Sequence, residues 1–222
     1  MMKLIKIYIA AILTLFMVNS SVAADSALNQ ILSSGVLKAG TTGDFYPFSK
    51  RDTATNSYEG YDIDILNELA KDLGVEIDFV STTWATLVNG ITAEKYHVTG
   101  SASIKASRMK ASGFSDPYTA VVTKAYTTND KISRFNGWDS INQPNVKVAT
   151  TLGTSFETQV DNWFTNAEIT KVAAPARGFQ EVLVGRSDVF VTSNIEGGTL
   201  LVKYPQLREI PVEAPRAPVP LA

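Results

Sequence analysis

The 222-residue chain contains no cysteine and a single histidine, His97. The first absence excludes a disulfide framework and every Cys-based zinc site, and one histidine is too few for a His-rich metal centre. A nucleophilic triad would have to draw its base from His97 alone. Charge of one sign is lacking too: 20 Lys and Arg stand against 22 Asp and Glu, so no basic field points to nucleic acid. The glycine-rich phosphate loop, the dinucleotide fingerprint, the H-E-x-x-H zinc signature and the G-x-S-x-G elbow are all missing. No metal and no cofactor is therefore expected. What is present, 45% hydrophobic, 19% charged and 9% aromatic residues, lies within the globular range.

Long apolar runs are scarce as well, and the one that exists is at the N-terminus. Residues 1–23 carry Lys3 and Lys6, an apolar stretch from Ile7 to Val18, and Ser21 and Ala23 at the −3 and −1 positions of a small-residue cleavage site. This predicts a secretory signal peptide, the stretch being short for a membrane span of about 20 residues. Cleavage after Ala23 would leave 199 residues carrying a formal charge of −4. Without a cysteine at the cleavage site the mature chain is not a lipoprotein, and the expected location is the periplasm.

The remaining pattern alternates strands and helices. Val36–Ala39 reads as a strand and is followed by the polar loop Gly40–Asp44. Ile63, Leu66, Leu69, Ala70 and Leu73 form one apolar stripe of a helix that Gly74 stops. Val75, Ile77 and Phe79 alternate as a strand, and Trp84 opens the next helix. The pattern restarts at Val146–Thr150, with the loop Leu152–Ser155 and a helix from Phe156. A strand at Val189–Thr192 precedes a helix from Glu196 that Gly197 and Gly198 weaken. This order predicts an α/β fold of two similar lobes, 24–123 and 124–212, with a cleft between them.

Polar loops after parallel strands gather ligand groups. Thr154 and Ser155 offer hydroxyls at a helix start, a position that a simple N-cap explains equally well. Arg108 offers a planar two-pronged clamp for a carboxylate, though alone it also fits surface charge. Tyr46, Tyr61 and Trp84 could form a stacking surface or serve as half-buried core aromatics. Glu196, if enclosed, would titrate high enough to act as a general acid.

Three runs in fixed order carry a resemblance: Glu59-Gly-Tyr-Asp-Ile-Asp64, Ser101-Ala-Ser-Ile104 with Arg108 and Phe114-Ser-Asp-Pro-Tyr118, and Gly153-Thr-Ser155 with Glu157. The chain resembles family 3 of the bacterial extracellular solute-binding proteins, the receptors of ABC importers, over residues 26–216. The resemblance implies a type II periplasmic binding protein fold. It also implies a monomer that hands an amino acid or small carboxylate to importer membrane subunits. It places the ligand carboxylate on Arg108, with Ser101 and Ser103 beside it, Thr154 and Ser155 reaching from the second lobe, and Trp84 against the ligand side chain; Asp44, Tyr46 and Tyr61 join these as candidate ligand-binding residues. A narrower likeness, in Gly40–Phe45, Thr83-Trp84 and Ile195-Glu196, runs to the periplasmic cyclohexadienyl dehydratases. It implies that Glu196 would protonate the leaving hydroxyl of prephenate or arogenate as CO₂ departs.

Departures from the family shape the expected ligand. Ser193 stands where amino acid receptors have an aspartate for the ligand ammonium, and Lys105 stands beside the clamp where a Thr or Asn is usual. Both favour an anionic ligand. His97 replaces a usual Asp and reads as structural. The end of the chain, 213–222, reads as a proline-rich, shortened return to lobe one. Four prolines in residues 211–220 argue against a helix and against a central strand there, and predict exposed apolar surface on lobe one.

Overall fold

The computed structural model describes residues 26–213 and 218–222, so the expected signal peptide lies outside the described residues. Lobe one is built on β1 (Val36–Thr41), which pairs in parallel with β5 (Glu76–Ser81) on one side and β6 (Val98–Thr99) on the other. Helices Ala27–Ser34, Tyr61–Asp72 and Leu87–Thr92 flank it. Ser26 caps the first helix, its side chain accepting from the Asn29 amide. The apolar stripe of the second buries Ile63, Leu66 and Ala70. A small antiparallel sheet of β2 (Asp44–Phe45), β3 (Ser49–Arg51) and β4 (Tyr58–Glu59) hangs beside it. These strands have two or three residues, too few for an alternating pattern to show in the sequence.

The β-branched run Ala120–Thr128 predicts one extended strand, and it falls in the strand-forming segment 119–128. It divides at Val122 into β7 (Thr119–Val121) in lobe one and β8 (Thr123–Thr128) in lobe two. Asn194 holds this crossing from both sides: its amide donates to the Val122 carbonyl at 2.7 Å, and its side chain accepts from the Val122 amide at 2.8 Å. Lobe two is a five-stranded sheet. Its order is β10 (Glu168–Val172), β9 (Lys147–Thr151), β11 (Val189–Ser193), β8 and β12 (Leu207–Glu209), parallel through the first three and antiparallel beyond. Val148, Val160, Val189, Val191 and Ile210 fill one side of that sheet, and Val182, Phe190, Leu200 and Leu207 the other. Helix Asn194–Lys203 tolerates Gly197 because the Tyr126 ring lies where a Cβ would be, 1.9 Å away.

The proline-rich end behaves differently from expectation. β13 (Val219–Leu221) pairs antiparallel with β7, and Ala222 exchanges backbone hydrogen bonds with Ala102 at 2.9 and 3.2 Å. Pro220 is compatible with this strand because it needs only its carbonyl, which accepts from the Ile104 amide at 3.2 Å. Leu221 is buried there, whereas Val88, Ile91, Val98, Phe114 and Ala222 line an uncovered hollow of about 210 Å³ on lobe one.

Candidate ligand cleft

The lobes meet around a small cavity walled by Phe45, Trp84, Ser101, Ser103, Arg108 and Leu221 from lobe one and by Thr151, Thr154, Ser155, Phe156, Arg177, Thr192 and Glu196 from lobe two. Four contacts draw it shut. The Ser103 hydroxyl bonds the Ser155 hydroxyl at 2.9 Å. Arg108 donates to the Ser103 carbonyl at 3.3 Å and, across the cleft, to the Gly153 carbonyl at 3.2 Å. Arg177 reaches over to Asp44, with 2.7 Å between Nη1 and Oδ2. Gly153, at φ +84°, comes so close to lobe one that a Cβ would lie 2.3 Å from the Ala85 amide nitrogen. The space left is about 20 Å³, room for a single water molecule.

Two arginines dominate the electrostatics. Arg108 sits on the short helix Ala106–Met109, only 6% exposed, with two carbonyls as its partners and no carboxylate among the described residues. Burial pulls its pKa below the ordinary guanidinium value. Arg177 precedes helix Gly178–Leu183 and is 8% exposed, but it has two acids. One is Asp44, whose Oδ1 also accepts from the Trp84 indole N–H at 2.9 Å. The other is Glu196, whose second oxygen accepts from the Thr192 hydroxyl. Burial pushes the Glu196 carboxyl up, and the Arg177 guanidinium opposes that push.

Of the residues expected to form the site, Trp84, Ser101, Ser103, Arg108, Thr154, Ser155 and Glu196 are brought together around the cavity. Thr154 is also the N-cap of helix Ser155–Trp163, accepting from the Glu157 amide at 3.3 Å, so the cap and a place on the cavity wall fall on one residue. Asp44 lies behind the cavity, its carboxylate held by Trp84 and Arg177. Ser193 is fully buried and spends its hydroxyl on capping the helix through the Glu196 amide at 3.0 Å. Lys105 is half-buried and lies outside the lining, its pKa lowered by burial and by Arg108. Tyr46 and Tyr61 are 49% and 48% exposed and do not stack with Trp84. The aromatic wall is Phe45, Trp84 and Phe156 instead, because Phe45 turns inward and its neighbour Tyr46 outward. Sequence reasoning missed Arg177, Thr151 and Thr192. The one signal for Arg177 was that Asp44 and Glu196, two acids in one cleft, required a cation.

Behind the cavity lies a further system. Asp62 is buried, accepts from the Tyr118 hydroxyl at 2.8 Å, and is pushed up to about 6 by burial. Tyr118 in turn accepts from the Ser101 amide at 2.6 Å, which fixes Ser101 at φ +52° on the cavity wall. His97 is a structural acceptor, its Nδ1 taking the Lys38 amide at 3.0 Å.

Comparison with known proteins agrees with this architecture. The chain is 31% identical over 194 residues to cyclohexadienyl dehydratase of Pseudomonas aeruginosa, covering 87% of this chain and 72% of that protein. It is 24% identical over 184 residues to the L-cystine-binding protein TcyJ of Escherichia coli, covering 82% of this chain and 68% of the relative. Among solved structures, the ancestral amino acid-binding protein AncCDT-1, a precursor of cyclohexadienyl dehydratase, superposes with a TM-score of 0.80 at 32% identity, covering 89% of this chain and 85% of that one. The family model of the bacterial extracellular solute-binding proteins, family 3, matches residues 37–196, and the chain belongs to that family.

Proposed function

We propose that the cleft binds a small carboxylate-bearing solute, an amino acid or a related organic anion, with its carboxylate on Arg108, for delivery to an ABC importer. The observation that carries this is the burial of the Arg108 guanidinium against two carbonyls with no carboxylate beside it among the described residues. A guanidinium held out of water without an acid pays desolvation and regains little from two carbonyls, so a ligand carboxylate is its natural complement. The hydroxyls of Ser103 and Ser155 and the Ser101 segment stand beside it as further hydrogen-bonding groups. Relatives that bind amino acids support the solute class. The chain would act as a monomer in the periplasm, since one chain supplies both walls of the cleft. For the ligand ammonium, Ser193 offers no charge, and the carboxylates of Asp44 and Glu196 are already shared with Arg177. Titration calorimetry against amino acids and small carboxylates should give one-to-one binding; silence across the panel would overturn the proposal.

A second reading has one observation in its favour. Glu196 is 4% exposed on the cavity wall, and burial raises its pKa as a general acid requires. The similarity to cyclohexadienyl dehydratase points the same way. The ion pair to Arg177 opposes it, because it stabilises the ionised form. Incubation with prephenate decides between the two: phenylpyruvate formation that disappears in Glu196→Gln would establish the enzyme.

A further inference from the structure

A carboxylate stands behind the cavity wall without lining the cavity. Asp62 is buried in the first turn of helix Tyr61–Asp72. No cation pairs with it among the described residues, and the groups acting on its carboxylate are the Ser101 and Tyr118 hydroxyls. A buried acid without a counter-charge costs stability, and the ion network of Asp44, Arg177 and Glu196 does not include it.

Tyr118 connects this acid to the wall. Its hydroxyl donates to Asp62 Oδ1 at 2.8 Å and accepts from the Ser101 amide at 2.6 Å. Its own amide donates to the Leu221 carbonyl at 3.1 Å, and the Tyr61 ring lies 6.0 Å from its ring. Gly100 packs on the other side, where a Cβ would lie 2.8 Å from the Asp62 carboxyl carbon. Ser101 itself has φ +52°, a left-handed conformation that a non-glycine residue keeps only when its surroundings hold it. The Tyr118 hydroxyl holds its amide, and Ser101 and Ser103 share the lobe-one wall with Arg108.

This anchor depends on the charge of Asp62. An ionised carboxylate only accepts, so Tyr118 donates to it and the phenol oxygen is left to accept from Ser101. A protonated Asp62 carries a hydrogen of its own, which competes with the Ser101 amide for that oxygen. Burial pushes the Asp62 carboxyl up to about 6, and burial together with the Asp62 charge pushes the Tyr118 hydroxyl up as well. The acid therefore changes charge near neutral pH, while the phenol keeps its proton.

We infer that Asp62 is a positioning residue for the cleft: through Tyr118 its charge sets the Ser101 segment of the wall, and carboxylate binding at Arg108 weakens when Asp62 takes up a proton. This rests on the Arg108 reading above and adds a pH control to it.

The test has two arms. The first needs no ligand: the Ser101 amide proton of isotope-labelled protein is followed by NMR from about pH 5 to about pH 8. Its short bond to Tyr118 should place it downfield, and it should titrate near 6 in wild type. It should stay fixed in Asp62→Asn and lose its downfield position in Tyr118→Phe. In the second arm L-glutamate, L-lysine, L-alanine and succinate are titrated by calorimetry at the two ends of that range. The loss of affinity toward low pH should be about threefold larger in wild type than in Asp62→Asn. Glu196 and His97 lie elsewhere and are present in both proteins, so the difference between the two isolates Asp62. Circular dichroism checks folding, and Asp62→Asn alone suffices if Tyr118→Phe unfolds. A Ser101 resonance that titrates alike in wild type and Asp62→Asn, or an equal loss of affinity in both, would overturn the role of Asp62 and leave Arg108 as the carboxylate site. Absence of binding by all four probes at both pH values would overturn the Arg108 reading and the control of affinity together.

Discussion

Two arginines stand in the same cleft, equally buried, with opposite circumstances. Arg177 is shared by two carboxylates, one from each lobe, and joins the walls of the cleft. Arg108 has only carbonyl partners. Burial alone therefore does not distinguish a structural cation from a binding one. The deciding quantity is the number of acids within reach. Arg177 belongs to the closed architecture, and Arg108 retains an unanswered positive charge that a ligand can complete.

The largest expected effect that sharpens this contrast is on stability. Arg177→Met strands Asp44 and Glu196 without their cation and should cost about 3–5 kcal/mol, read from urea unfolding. The loss should lessen as the pH falls and the stranded carboxyls protonate. Arg108→Met removes a buried charge that had no acid, so its unfolding midpoint should stay close to wild type. A large stability loss in Arg108→Met would break the comparison.

The next effect concerns Asp62. Its folded pKa of about 6 lies above its ordinary value of 3.8, so the folded state favours its protonated form. Its contribution to stability is present below pH 4 and is lost as the pH rises through 6. Asp62→Asn should accordingly stabilise the chain by about 2–3 kcal/mol near neutral pH, with the gain vanishing toward pH 4. Denaturation curves at several pH values check this, and a gain independent of pH would contradict it.

Smaller effects probe closure. Gly153→Ala places a methyl against the Ala85 backbone and should hold the lobes apart, raising the radius of gyration seen by small-angle scattering even with ligand present. Thr154→Ala removes an N-cap and should cost only about 1 kcal/mol of stability.

Much of this was legible in the sequence. The apolar stripe of residues 61–72, the restart at β9 and the ordered motifs around Arg108 and Thr154 pointed to the two lobes and to the residues that wall the cavity between them. These features are local, set by periodicity and short motifs. What was not legible depends on tertiary approach. Arg177 sits before a helix in an unremarkable run, and only folding brings it between a loop of lobe one and a helix of lobe two. Tyr46 and Phe45 are adjacent aromatics, and nothing in their order states which turns inward. The strand at 219–221 escaped because a proline count measures lost donors, whereas Pro220 needed only its acceptor. Ser193 drew attention as a missing charge, and its actual work is to cap the helix that carries Glu196.

The most direct test of the central claim is a calorimetric titration of the best-binding carboxylate into wild type, Arg108→Met and Arg108→Lys. Loss of the buried guanidinium should weaken binding by about 2–5 kcal/mol in Arg108→Met, with partial recovery in Arg108→Lys, which keeps the charge but not the planar fork. Equal affinity in all three proteins would contradict the account.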